Sequence, residues 1–306
     1  MKNCLILGAG GYMGRSLCKR LGNYYHIVAY DKYFPDDMLK LENIEFVHGD
    51  FVSEQNFGNL LHNIDIVIHL ISTTLPVEGT TNILREIDEN IKPTACLLEA
   101  ISSSGIERLV YSSSGGAVYG DTNNLINTVD SPHNPRSTYG LQKSIIEKII
   151  IFYSQKIGFR TAIMRITNPY GIGQDPHKPQ GVIPILIRKL YLRQPIDIYG
   201  DKNTRDYLFM GDLINAFKSA LNYKGNQSIF NIGSGKNTTI LEIIASIERI
   251  SGKQFVGINY LPSRSCDVSH TILDVEESWT ELGWKPSVSL DDGIKLIIDY
   301  YRKNLG

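Results

Sequence analysis

The sequence is short of the features that would staple or anchor a chain. Of 306 residues only four are cysteine: Cys4, Cys18, Cys96 and Cys266. They form no CxxC pair, and their spacing suits neither a zinc site nor a small disulfide framework. Four reduced thiols in a cytoplasmic protein are the expectation, with no metal site. There is no long apolar run. The run Cys4-Leu5-Ile6-Leu7 is cut off by glycines, too short for the apolar segment of a secretory signal, and nothing reaches the length of a membrane span. Nor does one sign of charge dominate. The chain has 31 Lys and Arg against 32 Asp and Glu, a formal charge of −1. That gives no global reason to expect nucleic acid or an anionic membrane as partner. Internal repeats and low-complexity tails are missing too.

What is present is an ordinary globular composition, 42% hydrophobic and 21% charged. The length suits one large domain or two moderate ones and can bury a core without staples. The first two-thirds alternates short apolar runs with longer amphipathic segments. Strands are expected at 2–7, 26–30, 44–48, 65–71, 107–113 and 160–166, and helices at 12–22, 53–62, 82–104 and 138–157. Several strand candidates are almost wholly apolar, as in parallel strands covered on both faces. This rhythm predicts an α/β fold with a doubly wound parallel sheet and right-handed crossovers. After about residue 167 a Pro/Gly/Gln-rich stretch, 168–184, breaks the rhythm. A smaller, mixed lobe is expected from 167–203 and 233–306, with 204–232 returning to the main domain formed by 1–166.

Strand 2–7 runs into Gly8-Ala9-Gly10-Gly11-Tyr12-Met13-Gly14 and then a helix. The spacing Gly8-x-x-Gly11-x-x-Gly14 is a variant of the dinucleotide fingerprint. Its glycines serve the tight turn, the approach to a pyrophosphate and close helix–strand packing, and the helix N-terminus faces the phosphate charge. Strand 26–30 ends in Tyr30-Asp31, about twenty residues on, where an acid can bind the ribose 2′-hydroxyl. That acid favours NAD over NADP; Lys32 beside it works against the preference.

Further along, Ser137-Thr138-Tyr139-Gly140-Leu141-Gln142-Lys143 opens a helix. Residues four apart share a helical face, so the Tyr139 phenol and the Lys143 ammonium project the same way. A nearby ammonium favours phenolate, which suits a general base near neutral pH. Upstream, strand 107–113 ends in Ser112-Ser113-Ser114-Gly115-Gly116-Ala117-Val118-Tyr119-Gly120. A hydroxyl at the carboxyl end of a sheet strand lies where such folds bind ligands.

Together with Gly49-Asp50-Phe51, His69-Leu70 and Asn90, these motifs resemble the extended short-chain dehydrogenase/reductase family over nearly the whole chain. Arg165-Ile166-Thr167-Asn168-Pro169-Tyr170-Gly171, Arg205-Asp206-Tyr207 and Arg264 with Asp267 resemble its nucleotide-sugar branch, and the UDP-glucose 4-epimerases most of all. The resemblance implies Tyr139, Lys143 and a serine as catalytic residues, Ser113 and Ser114 competing for that place with Ser114 favoured. It implies a NAD site formed by Gly8, Gly11, Tyr12, Met13, Gly14, Asp31, Lys32, Asp50, Phe51, Leu70, Ser72, Asn90, Tyr139, Lys143 and Thr167. Ser114, Asn168, Val182, Tyr199, Arg205, Arg264 and Asp267 are implied to hold the nucleotide sugar; guanidinium groups suit its diphosphate. A pocket gate is implied near Ser269, His270 and Thr271.

The chain departs from the family at Gly115-Gly116. Dehydratases of this branch carry an acidic pair just after the catalytic hydroxyl, and decarboxylases also want a carboxylate there. That leaves epimerisation or simple keto-reduction, and the resemblance implies 4-epimerisation of a UDP-hexose in surface-polysaccharide sugar biosynthesis. The alternative is NAD(P)H-dependent reduction of a dTDP-4-keto-6-deoxyhexose, and a non-catalytic dinucleotide sensor is the remaining reading. Broadly apolar helices at 82–104 and 138–157 match those that pair in the family's dimers, so a homodimer is expected.

Overall fold

The computed structural model describes residues 1–74, 82–120, 126–178, 180–262 and 272–305. Its main sheet has seven strands: β1 (Asn3–Leu7), β2 (His26–Asp31), β3 (Ile44–His48), β4 (Ile66–His69), β5 (Arg108–Ser114), β6 (Arg160–Ile166) and β10 (Ile229–Ile232). They lie in the order β10-β6-β5-β4-β1-β2-β3. The pairs β1–β2, β1–β4, β2–β3 and β4–β5 are parallel. Chain order reverses between β1 and β4, so a crevice opens there beyond the carboxyl ends of the strands, where open α/β sheets bind ligands. Cys4 to Leu7 are completely buried. A strand covered on both faces has no use for polar alternation.

The helices follow the expected rhythm with two differences. Helix α1 (Tyr12–Leu21) and α5 (Thr138–Ile157) lie where the amphipathic pattern puts them. Within 53–62, however, only one turn forms, α2 (Phe57–Leu60). And 82–104 is not one regular helix. It runs as α3 (Ile83–Glu86), a π-helical turn Ile87–Ile91 and α4 (Lys92–Ser102). One extra residue in a turn of this kind often marks a functional position. The ends of α5 are written in sequence. The Ser137 hydroxyl accepts the Gly140 N–H at 3.2 Å, and Gly158 closes the helix with φ +93°, a left-handed conformation that only glycine adopts at little cost.

The chain divides into two compact units. The first comprises 1–114, 137–165 and 217–230; the second comprises 115–136, 166–216 and 231–306. In the first, Leu5, Leu7, Leu97, Leu98, Ile101, Leu109, Ile146 and Ile150 are buried between sheet and helices. In the second, a three-stranded sheet joins β7 (Asn168–Tyr170), β9 (Thr204–Phe209) and β11 (Asn237–Thr239), with β7–β9 parallel and β11–β9 antiparallel. A further parallel pair links β8 (Ile196–Tyr199) and β12 (Ile258–Leu261). Their core packs Ile183, Leu186 and Ile187 of α6 (Val182–Tyr191) with Ile243, Ile244 and Ile247 of the helix Ile240–Ser251 and Ile294, Ile297 and Ile298 of the helix Leu290–Leu305. Among the described residues no helix is long and apolar enough to cross a membrane.

Candidate active site

The glycine loop follows β1 directly. Gly8 takes φ +85°, and its N–H and that of Ala9 both donate to the Tyr30 carbonyl at 3.0 and 3.2 Å. A Cβ on Gly14 would lie 2.2 Å from the Gly8 carbonyl oxygen and 2.6 Å from Ala9 Cα, so only glycine lets α1 pack this close to the loop. A Cβ on Gly11, the N-cap of α1, would approach nothing but the Gly8 oxygen. No side chain caps α1. The N-terminus of α1, with the helix dipole behind it, faces the glycine loop, which suits an anion. Asp31, ending β2, accepts the Gly10 N–H on Oδ2 at 2.9 Å and the Tyr33 N–H on Oδ1 at 3.4 Å, and a carboxylate has further lone pairs that suit ribose hydroxyls. This cradle fits a dinucleotide.

The remaining residues expected around that cradle are placed as follows. Tyr12 and Met13 form the first turn of α1, both half-buried. Lys32 pairs with Asp50 at 2.8 Å. The Phe51 side chain is buried in the core against Phe57 and His69. Leu70 follows β4, its N–H bonded to the Leu7 carbonyl at 3.0 Å. The Ser72 hydroxyl donates to the Thr74 carbonyl at 3.1 Å and accepts from Gln142 at 3.4 Å. Asn90, in the π turn, accepts the Thr73 N–H at 3.0 Å and donates to the Thr73 hydroxyl and the Glu86 carboxylate. In the second unit Thr167 is half-buried, and its N–H donates to the Ile232 carbonyl at 2.9 Å.

The first unit brings Ser114, Tyr139 and Lys143 together. Lys143, 2% exposed, donates from Nζ to the Ser112 carbonyl at 2.9 Å. The same Nζ stands 4.7 Å from the Tyr111 ring centroid and 5.8 Å from that of Tyr139. The Ser114 hydroxyl hydrogen-bonds the Tyr139 phenol. Alternation along β5 separates the two candidate serines, because successive side chains point to opposite faces. Ser113 turns away from the phenol to the Glu147 carboxylate. Glu147 in turn accepts from Arg165 Nη2 at 2.8 Å, and both are almost wholly buried.

The electrostatics differ from the simple expectation of a lysine-lowered phenol. Burial pushes Tyr139 up to about 12, the Ser114 hydrogen bond opposes that, and the Glu86 charge adds to it. Burial pulls Lys143 down to about 7 against the favourable charges of Glu147 and Glu86. A lysine shedding its proton near neutrality gives the phenol limited help, and desolvation wins. His69, wholly buried, is held neutral at about 3 by burial and by Lys143.

In the second unit, β7 and β9 set Asn168 opposite Tyr207. Asn168 Nδ2 donates to the Asp206 carbonyl at 2.9 Å. The buried Asp206 carboxylate binds Ser234 N–H and hydroxyl and Gly235 N–H at 2.6–3.0 Å. Burial raises its pKa, and these bonds oppose the shift. Arg205 Nη1 donates to the Thr204 carbonyl at 2.9 Å. Val182 opens α6 against the core, and Tyr199 is an exposed residue at the end of β8. Arg264 and Asp267, with Ser269, His270 and Thr271, lie outside the described residues. Two buried acids beside the Tyr–Lys pair, Glu86 and Glu147, were not singled out by sequence. Glu147 had a signal: it is four residues beyond Lys143, on the face of Tyr139. Glu86 had none, standing in the ordinary acidic run Glu86-Ile87-Asp88-Glu89.

A doubly wound sheet with a glycine cradle at its switch point and a Ser–Tyr–Lys cluster beside it defines a nicotinamide-dinucleotide enzyme of the short-chain dehydrogenase type. The NAD dependent epimerase/dehydratase family model matches residues 4–233, and the chain belongs to that family. It is 35% identical over 308 residues to the dTDP-4-dehydro-6-deoxyglucose reductase of Escherichia coli, covering 97% of each chain. The UDP-glucose 4-epimerase of Thermotoga maritima, solved with UDP-glucose, superposes with a TM-score of 0.92 at 28% identity, covering 99% of this chain and all of that one. The UDP-glucuronic acid 4-epimerase of Bacillus cereus, solved with UDP-glucuronic acid and NAD, gives 0.89 at 27% identity over 99% of both chains. The cofactor is NAD, and the chain is an enzyme of nucleotide-sugar chemistry.

Proposed function

We propose that the chain is a NAD-dependent nucleotide-sugar 4-epimerase acting on a UDP-hexose, in the cytoplasmic supply of sugars for surface polysaccharide. The observation that carries this reading is the Ser114–Tyr139–Lys143 cluster followed by Gly115-Gly116 in place of acids. NAD, held by the glycine cradle, would supply the acceptor for a hydride from sugar C4 and its return. Tyr139 would take the 4-hydroxyl proton, leaving a ketone at C4, and once the keto sugar has turned its other face would give the proton back to O4. Ser114 orients the reacting oxygen, and Lys143 holds the cofactor ribose. Asn168, Arg205 and Arg264 are assigned to the diphosphate, Thr167 to the cofactor, and Val182, Tyr199 and Asp267 to the nucleotide sugar. Lack of room does not explain the missing acid: a Cβ on Gly116 meets nothing within 4 Å.

The 35% identical reductase favours a second reading, stoichiometric reduction of a dTDP-4-keto-6-deoxy sugar by the same three residues. A panel of UDP- and dTDP-sugars, run with and without added NADH and followed by mass and anomeric NMR, separates the two. Interconversion of UDP-hexoses without added NADH is the expected result. Consumption of one NADH per 4-keto sugar, with no UDP-hexose turnover, would overturn it. A homodimer is part of the proposal. Leu84 and Ile87 on one helical segment and Leu141, Phe152 and Ile157 on α5 are exposed apolar residues that pairing would cover.

A further inference from the structure

Gln142, on the helix that carries Tyr139 and Lys143, is completely buried. A buried amide normally satisfies both of its polar ends. Here only one end is satisfied. Nε2 donates to the Ser72 hydroxyl at 3.4 Å. Oε1 is buried and has no hydrogen-bond partner among the described residues. A carbonyl left in this way costs the fold free energy, and a ligand that brings a donor removes the cost.

The surroundings narrow the source of that donor. Gln142 and Lys143, three and four residues after Tyr139, share its side of α5. Against them runs the loop after β4, which also borders the glycine cradle: a Cβ on Gly8 would come within 3.1 Å of Ile71 Cγ1. The loop is tied down along its length. The Leu70 N–H goes to Leu7, Thr73 is held by Asn90, and the Thr74 hydroxyl goes to Glu86. Ser72 gives its own proton to the Thr74 carbonyl at 3.1 Å, so that proton does not serve Oε1. Gln142 thus joins the catalytic helix to the wall of the dinucleotide cradle, with its acceptor unused.

We propose that Gln142 is a cofactor-binding residue whose Oε1 accepts a hydrogen bond from a hydroxyl of the nicotinamide ribose when NAD is bound. The inference rests on the assignment of Lys143 to that ribose under the proposed function. Lys143 serves a ribose oxygen as a donor, as it already serves the Ser112 carbonyl at 2.9 Å. A hydroxyl that accepts from Lys143 keeps its own proton, which needs an acceptor in a site closed to water. Gln142, the adjacent residue, offers one. It is also neutral, where a carboxylate in its place would compete with the ribose for Lys143. Donor and acceptor side by side hold the ribose in one orientation.

Calorimetric titration of the full chain with NAD, ADP-ribose and ADP tests this without turnover. ADP-ribose keeps the second ribose and lacks the nicotinamide, and ADP lacks both. Gln142→Met keeps the length of the side chain and loses its polar atoms. Its dissociation constants for NAD and ADP-ribose should rise together by about 3- to 10-fold, the contribution of one neutral hydrogen bond, while that for ADP stays at the native value. Three unmoved constants overturn the inference. So does an equal loss for ADP, which marks general damage to the cradle, and so does a loss for NAD alone, which puts the donor on the carboxamide. The native chain should itself bind ADP-ribose more tightly than ADP, and equal affinities overturn the inference even if Gln142→Met fails to fold. Lys143→Met separates the two assignments. Unchanged NAD and ADP-ribose constants in that variant remove Lys143 from the ribose and Gln142 with it. A loss there beside an unmoved Gln142→Met removes Gln142 alone.

Discussion

Asp31 offers the most direct quantitative test of the cofactor cradle. Replacing it by alanine removes the 2.9 Å bond from the Gly10 N–H, which ties the glycine loop to the end of β2. It also removes the charged acceptor proposed for the ribose hydroxyls. A hydrogen bond to a charged group contributes about 1.5–3 kcal/mol, and each ~1.4 kcal/mol is tenfold in affinity. The ribose bonds alone thus account for roughly 10- to 100-fold. The loop bond adds less, because it is only partly buried and water can replace Asp31. The NAD dissociation constant of Asp31→Ala should rise about 100-fold. Asp31→Asn separates the two effects. It keeps a neutral acceptor for Gly10 while losing the charge, so NAD affinity should fall about tenfold, and NADP should gain as the repulsion of its 2′-phosphate is lifted. Calorimetric titration with NAD and NADP at fixed ionic strength measures all three proteins. An Asp31→Ala protein that binds NAD within about twofold of the native chain would refute the assignment.

Three further outcomes are expected. Arg165→Met strands the buried Glu147 charge and should cost about 3–5 kcal/mol in urea unfolding, whereas adding Glu147→Leu should recover most of that loss; equal losses in both would contradict the ion-pair account. Lys143, held at about 7 in the fold, titrates near 10.4 when unfolded. Between those pH values the unfolded chain keeps a proton that the fold has shed, so its contribution makes stability rise with pH across that window. The native chain should accordingly gain stability relative to Lys143→Met between pH 7 and about pH 10, and a constant difference would show that Lys143 stays charged. Sedimentation should give a dimer at micromolar concentration, and Phe152→Glu, which charges an exposed apolar residue of α5, should shift it toward monomer.

The sheet was legible because its strands are local. Continuous apolar runs such as Cys4–Leu7 and Ile66–Ile68 are covered on both faces, and turn residues bound them. The glycine loop was legible for a similar reason, since Gly8 and Gly14 meet backbone constraints that no other residue satisfies. The π turn at Ile87–Ile91 left no such mark. It is one residue inserted into a helical pattern, within the drift that any amphipathic segment tolerates. The single turn at Phe57–Leu60 was overestimated because one apolar face, Phe57 with Leu60 and Leu61, reads the same in a short helix as in a long one. Chemistry was legible in types and spacing, as with Tyr139 and Lys143, and not in protonation. That depends on burial and on Glu86, which reaches the site across more than fifty residues of chain through its bond to Thr138.

Tyr139 is the residue on which the proposed proton transfer depends. The Tyr139→Phe protein keeps the ring, its packing and the neighbouring Lys143, and loses only the exchangeable proton. It should fold and bind NAD and the nucleotide sugar like the native chain, while turnover on the substrate found in the panel falls by about 10²- to 10⁴-fold, the contribution of one positioned acid–base group. Turnover within a few-fold of the native rate would contradict the central claim.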